Sequence, residues 1–185
     1  MTDHHHLQVL VDVLTEKDFG PYYQPFIDLV PRGMSLSQAL LVENAPLPDT
    51  VSHLSETEAL YRYSEGKWSI KEVIIHLTDA ERIFGYRAMR YARKDTTPLM
   101  GFEQDDFVAH AYADDIPLSQ LLETYQLQRK GTLALYQSFT ADMLTTSGVA
   151  SSYEMTVRAI GFLFLAHEIH HVNIIKERYL KSISA

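Results

Sequence analysis

SSYEMTVRAIGFLFLAHEIHHVNIIKERYL, residues 151–180, carries the strongest periodic signal in the chain. At about 100° per residue, Ile160, Leu163, Phe164, Ile174 and Ile175 fall within about 80° of His167, the apolar stripe of a helix that faces a core. His171 lies on the same stripe. Two imidazoles one turn apart and pointing inward can bind a single divalent metal ion. Two buried histidines with hydrogen-bonded ring nitrogens would give the same pattern. However, two polar rings side by side in a core need something between them to satisfy both.

The chain has 185 residues, the size of one domain with a core that needs no disulfides. It contains no cysteine, so a metal would have to be held by nitrogen and oxygen ligands. The formal net charge of -8 argues against a phosphate-binding face, and no nucleic-acid partner is expected. No apolar run reaches the roughly 18 residues of a membrane span, and the amino terminus does not read as a signal peptide. These features fit a cytoplasmic protein without membrane association. His4, His5 and His6 resemble an affinity tag or a metal-binding tail. Residues 1–18 read as an N-terminal extension, either flexible or a short helix, and residues 19–185 as the folded domain.

Upstream of the final helix, Ser35 to about Asn44 reads as helical, with Pro46 and Pro48 interrupting it. Ser69 with Glu72 forms a capping-box signature that opens a strong helix running to about Arg93. With His76 as zero, Val73, Ala80, Ile83 and Phe84 share its face, so this histidine also looks inward. The connection from Leu99 to Ile116 is long enough to fold over a site. Leu118 to Phe139 makes a third helix, residues 145–153 a loop, and no segment alternates long enough to be read as a strand. The pattern is all-α: a four-helix bundle with a long crossover connection, an architecture that builds metal sites from facing side chains.

Residues His167-Glu168-Ile169-His170-His171 match the His-Glu-x-x-His motif of zinc proteases, in which Glu168 would be the general base. Only 14 residues follow His171, and Glu177 shares its helix, so a third ligand has to come from upstream. His53 and His110 lack the support of a regular inward-facing helix, whereas His76 has it. Three imidazoles from two helices leave coordination positions open, as catalytic sites require. Zinc and nickel both accept imidazole. His170, on the other side of His167 from His171, reads as an outer or surface group.

Gly66-Lys67-Trp68-Ser69-Ile70-Lys71-Glu72-Val73, His76-Leu77, Asp79-Ala80-Glu81-Arg82, the His167 and His171 pair and Lys176-Glu177-Arg178-Tyr179-Leu180 together resemble the DinB-like family of metal-dependent enzymes. The likeness extends to Pro21-Tyr22-Tyr23-Gln24-Pro25-Phe26 and Thr96-Thr97-Pro98-Leu99, and so covers nearly the whole chain. The resemblance implies a four-helix bundle of DinB/YfiT type in which His76, His167 and His171 hold a divalent metal, often nickel or zinc, commonly in homodimers. Family members with assigned activity are transferases or isomerases that use a low-molecular-weight thiol, including bacillithiol transferases and mycothiol-dependent maleylpyruvate isomerase. The expected function is therefore that of a metal-dependent enzyme acting on a small molecule, activating water or a low-molecular-weight thiol for hydrolysis or group transfer. The rival expectation is a non-catalytic metal-binding stress-response protein.

Further side chains have candidate roles. Glu72 and Asp79 flank His76 and could orient its ring or act as a base, or be solvated carboxylates. Arg87 and Arg178 share the faces of the histidines and could meet a ligand carboxylate, or pair with Glu81 or Glu177. Tyr22, Tyr23 and Trp68 read as packing residues, with Trp68 as a hydrophobic staple ahead of Ser69.

Overall fold

In the computed structural model, which describes residues 4–183, three long helices form the frame. Helix α1 spans Ile70–Ala92. Its start is the reciprocal box read from the sequence: the Ser69 hydroxyl accepts from the Glu72 amide at 3.1 Å, and the Glu72 carboxylate accepts from the Ser69 amide at 2.7 Å. Helix α2, Gln104–Ala111, lies inside the long crossover, followed by α3 at Leu118–Gln137. Helix α4, Val157–Ile174, begins at Thr156, whose hydroxyl accepts from the Ala159 amide. It runs on into a π-helical segment, Ile175–Leu180, and a last turn, Lys181–Ile183.

Helix α1 packs against both α3 and α4, and the fourth side of the bundle is closed by short pieces rather than one long helix. Gln24–Ile27, Leu36–Leu40 and Pro46–Val51 all pack on α4, and Leu36–Leu40 also reaches α3. The helix expected over residues 35–44 stops at Leu40. Leu41 is extended, and Val42–Asn44 forms a 3-10 turn before Pro46 opens the next helix at its first position, where a missing N–H costs nothing. The N-terminal segment, whose residues 1–3 lie outside the described ones, forms two 3-10 turns from His5 to Val13 and buries Leu7 and Val11 in the core. His6 Nε2 lies 3.3 Å from the Tyr136 carbonyl, so this histidine rests on the bundle.

Residues 145–156 depart from the sequence reading. Ser147–Ala150 (β1) and Tyr153–Thr156 (β2) pair antiparallel, with Ala150 opposite Tyr153. The two-residue turn puts Ser151 at φ 50° and Ser152 at φ 69°, the left-handed pair of a tight hairpin turn. The usual Asn-Gly signal is absent, and four-residue strands are too short to show alternation. Gly148 lets the hairpin lie on α1, since a Cβ there would stand 2.1 Å from ring carbons of Tyr91.

Buried apolar residues form two clusters. One surrounds Val157–Ala166 of α4 with Leu36, Leu40, Tyr91 and Tyr136; the other joins the start of α1 and of α3 to Val172, Ile175 and Tyr179. Between them runs a belt of buried polar side chains: His76, Thr78, Glu81 and Arg87 on α1, Arg129 and Thr132 on α3, and Glu168 on α4. Among the described residues, no helix is long and apolar enough to cross a membrane.

Candidate metal centre

His76 of this belt belongs to a cluster of three imidazoles. Helix α1 supplies His76, and α4 supplies His167 and His171 from successive turns. His167 Nε2 lies 3.3 Å from His76 Nε2 and 3.1 Å from His171 Nε2, and the three ligand atoms lie within 4.8 Å of one another. Two nitrogens at about 2.0–2.1 Å from one ion at a tetrahedral angle would be about 3.3–3.4 Å apart, so the spacing fits a shared cation. It fits hydrogen bonding poorly. A single His167 Nε2 carries either one proton or one lone pair and cannot satisfy two neighbouring nitrogens at once. A cation would accept all three lone pairs.

The electrostatics agree. Burial lowers the pKa of His76 to about 4. Burial, and then the neighbouring His76 and His170, lower that of His171 to about 3. His167 is held well below its ordinary value by burial and by the other three imidazoles. All three rings are therefore neutral near pH 7, the state a metal ligand needs. Aromatic rings fix their positions. Trp68 lies 4.8 Å from His76 and stacks near His171 at 6.5 Å, while Phe26 lies 6.1 Å from His167. Trp68 is held in turn by the Tyr179 hydroxyl, which donates to its carbonyl from the π-helical segment at 2.8 Å.

His76 is buried, whereas His167 and His171 are half-buried. His76 and His167 open on a cavity of about 250 Å³ whose wall includes Tyr22, Tyr23, Phe26, Phe84, Phe102 and Tyr153. Arg87, Gln104 and Ser151 add polar atoms to the same wall. The hairpin thus brings Ser151, one of its two left-handed residues, to the site. Strained backbone of this kind persists where the surrounding structure fixes it.

Several sequence-level roles are reassigned. Glu168, the general base of the protease motif, points away from the imidazoles: it is fully buried, accepts from the Leu47 amide at 2.8 Å and from Arg129 Nη2 at 3.2 Å. Arg129 also donates Nε to both oxygens of Glu81 at 2.9 and 3.1 Å. This buried triad ties α1, α3, α4 and the Pro46–Val51 helix together, and it was not legible beforehand. Its sequence signal is charged residues in the buried stripes of the long helices, among them Glu81, Arg129 and Glu168. Glu72 is occupied by the cap and by Arg62, and Asp79 by Arg82, so neither orients His76. Arg178 is exposed and donates to the Tyr63 hydroxyl. His53 and His110 are exposed and stay outside the cluster. His170 is half-buried, with its ring 5.0 Å from Phe26 and 5.1 Å from His171. Tyr22, Tyr23 and Trp68 pack, as read from the sequence, but they do so around the site.

The profile of the DinB superfamily matches residues 44–175. Among solved structures, the chain is similar to YfiT from Bacillus subtilis, described as a probable metal-dependent hydrolase with an unusual four-helix bundle topology. The TM-score is 0.69 at 19% sequence identity, over 80% of this chain and 85% of that one, which shows a shared fold. No curated protein matches the sequence.

Proposed function

The chain belongs to the DinB superfamily, and on that footing we propose that it is a metal-dependent enzyme acting on a small molecule, with a divalent ion held by His76, His167 and His171. The observation that carries this reading is the convergence of three neutral Nε2 atoms beside a cavity of about 250 Å³. Zinc or nickel suits an all-imidazole donor set. When bound, such an ion supplies Lewis-acid activation of water or a low-molecular-weight thiol, for hydrolysis or group transfer. The protein's own contribution is positional. Trp68 and Phe26 hold the imidazoles in register, the aromatic wall supplies apolar surface for the body of the bound molecule, and the polar atoms of Arg87, Gln104 and Ser151 face it. The analogy with the neighbour's description favours hydrolysis.

A non-catalytic metal-binding role is the second reading. A filled core around the histidines would favour it, and the cavity speaks for the enzyme. In keeping with the family resemblance and the net charge of -8, we place the protein in the cytoplasm as a homodimer without a nucleic-acid partner.

The test is elemental analysis of protein purified without nickel resin and then offered zinc. About one ion per chain is expected in the wild type, and a large loss of it in His76→Ala. Wild-type protein that takes up no divalent ion would end this reading.

A further inference from the structure

Among the described residues, every deeply buried Lys or Arg except one has a carboxylate. Arg129 has Glu81 and Glu168, and Lys71 has Glu56 at 2.6 Å. Arg87 is 4% exposed, and among the described residues no carboxylate lies within ion-pair distance of it. It donates Nη2 to the Met100 carbonyl at 3.1 Å and spreads over the Phe84 ring at 4.9 Å. Neither contact supplies the missing negative charge. An uncompensated buried guanidinium is costly, and it persists where a ligand completes the pair.

Arg87 lines the same cavity as His76 and His167. Eleven residues after His76 on α1, it returns to within about 20° of the same face, displaced by about 16 Å along the axis. A long helical side chain leans back toward the helix N-terminus, so the guanidinium reaches toward the histidines. The wall between them is aromatic.

We propose that Arg87 is the anchor for a carboxylate on the bound molecule, and that this molecule is a small carboxylic acid with an aromatic or flat apolar body. One guanidinium neutralises one charge. The second charge of a phosphate monoester would be left buried among Phe84, Phe102 and Tyr23, which selects a monoanion. The fork of Arg matches a carboxylate bidentately. The proposal rests on the metal reading only for which end of the molecule reacts; the binding half stands on Arg87 and the cavity.

The test measures binding of 3-phenylpropionate and its neutral amide by titration calorimetry, to zinc-loaded and metal-free protein, in wild type, Arg87→Gln and Arg87→Lys. Wild type is expected to prefer the acid by about tenfold or more with or without zinc, the worth of hydrogen bonds to a charged group. Arg87→Gln should reduce the preference to about twofold or less, and Arg87→Lys, which keeps the charge and loses the fork, should keep part of it. Equal binding of acid and amide, binding of neither at millimolar concentration, or a preference unchanged in Arg87→Gln overturns the proposal. A preference that requires zinc and survives Arg87→Gln places the carboxylate on the ion, which overturns Arg87 and leaves the metal reading standing. A preference lost in Arg87→Gln in a protein that takes up no zinc supports Arg87 and ends the metal reading. Should Arg87→Gln not fold, Arg87→Lys decides: a weakened preference supports the anchor, and an unchanged one overturns it.

Discussion

Replacing Arg129 by Met tests whether the centre of the bundle is held by charge. Arg129 is 1% exposed, and its two partners, Glu81 and Glu168, are 4% and 0% exposed. Without the guanidinium, two buried carboxylates face each other across the bundle, and breaking a buried ion pair from one side costs about 3–5 kcal/mol. For a chain of this length, each kcal/mol is worth about 2–4 °C in Tm, so a drop of about 6–20 °C is expected. Glu168→Gln is the informative contrast. Glutamine keeps an acceptor for the Leu47 amide, and Arg129 keeps its two-oxygen contact with Glu81, so only the 3.2 Å contact with Nη2 is lost. That loss is worth no more than about 2–3 kcal/mol and is partly offset because one surplus buried negative charge goes with it. Urea unfolding with linear extrapolation reads both variants, provided the slope m is unchanged. The deficit of Arg129→Met should shrink below about pH 4. Carboxylates whose folded pKa is raised above the unfolded value destabilise only at pH above that unfolded value. If Arg129→Met costs less than about 1 kcal/mol, or no more than Glu168→Gln, the triad does not hold the bundle together and the reasoning fails.

Other perturbations follow from the same geometry. Glu168→Gln should retain zinc uptake by elemental analysis, because its carboxylate faces Arg129 and not the imidazoles; loss of uptake from a folded variant would count against the separation of the two sites. Asp18 is buried, which alone would raise its pKa, but hydrogen bonds from Arg158, the Thr15 amide and Thr156 bring it below the ordinary carboxylate value. Its contribution to stability is therefore present above about pH 4 and lost as pH falls through the lowered value. Wild type should lose stability more steeply than Asp18→Asn below about pH 4 in thermal melts, and parallel curves would contradict this. Gly148→Ala would drive a methyl group into the Tyr91 ring, costing about 1–3 kcal/mol and loosening the hairpin. Amide exchange should quicken across residues 147–156, and an unchanged pattern would mean the contact relaxes easily. Chelator should lower the Tm of zinc-loaded wild type and leave His76→Ala unaffected; equal shifts in both would place the ion elsewhere.

The helical class was legible because Ser69 with Glu72, the stripe through His167 and the prolines at 46 and 48 are local signals, each acting within one or two turns. The same periodicity turned His76, His167 and His171 inward, since facing direction is a property of one helix. Partnership is not. That Glu168 belongs to Arg129, 39 positions away, rather than to the imidazoles, that Arg87 meets the Met100 carbonyl and no carboxylate, and that Trp68 stacks near His171 of another helix depend on how separate elements pack. The hairpin at residues 147–156 was hidden for a related reason. Its strands are too short to show a period, and the Ser151-Ser152 turn is tolerated because Gly148 seats the pair against Tyr91. The sequence alone determined that His76, His167 and His171 share inward-facing stripes, because an α-helix repeats every 3.6 residues, whereas the π-helical Ile175–Leu180 leaves Arg178, read on the same face, exposed. Only the tertiary structure decided which inward groups meet, because burial makes each buried charge or lone pair seek whatever partner the packing of distant helices brings within reach.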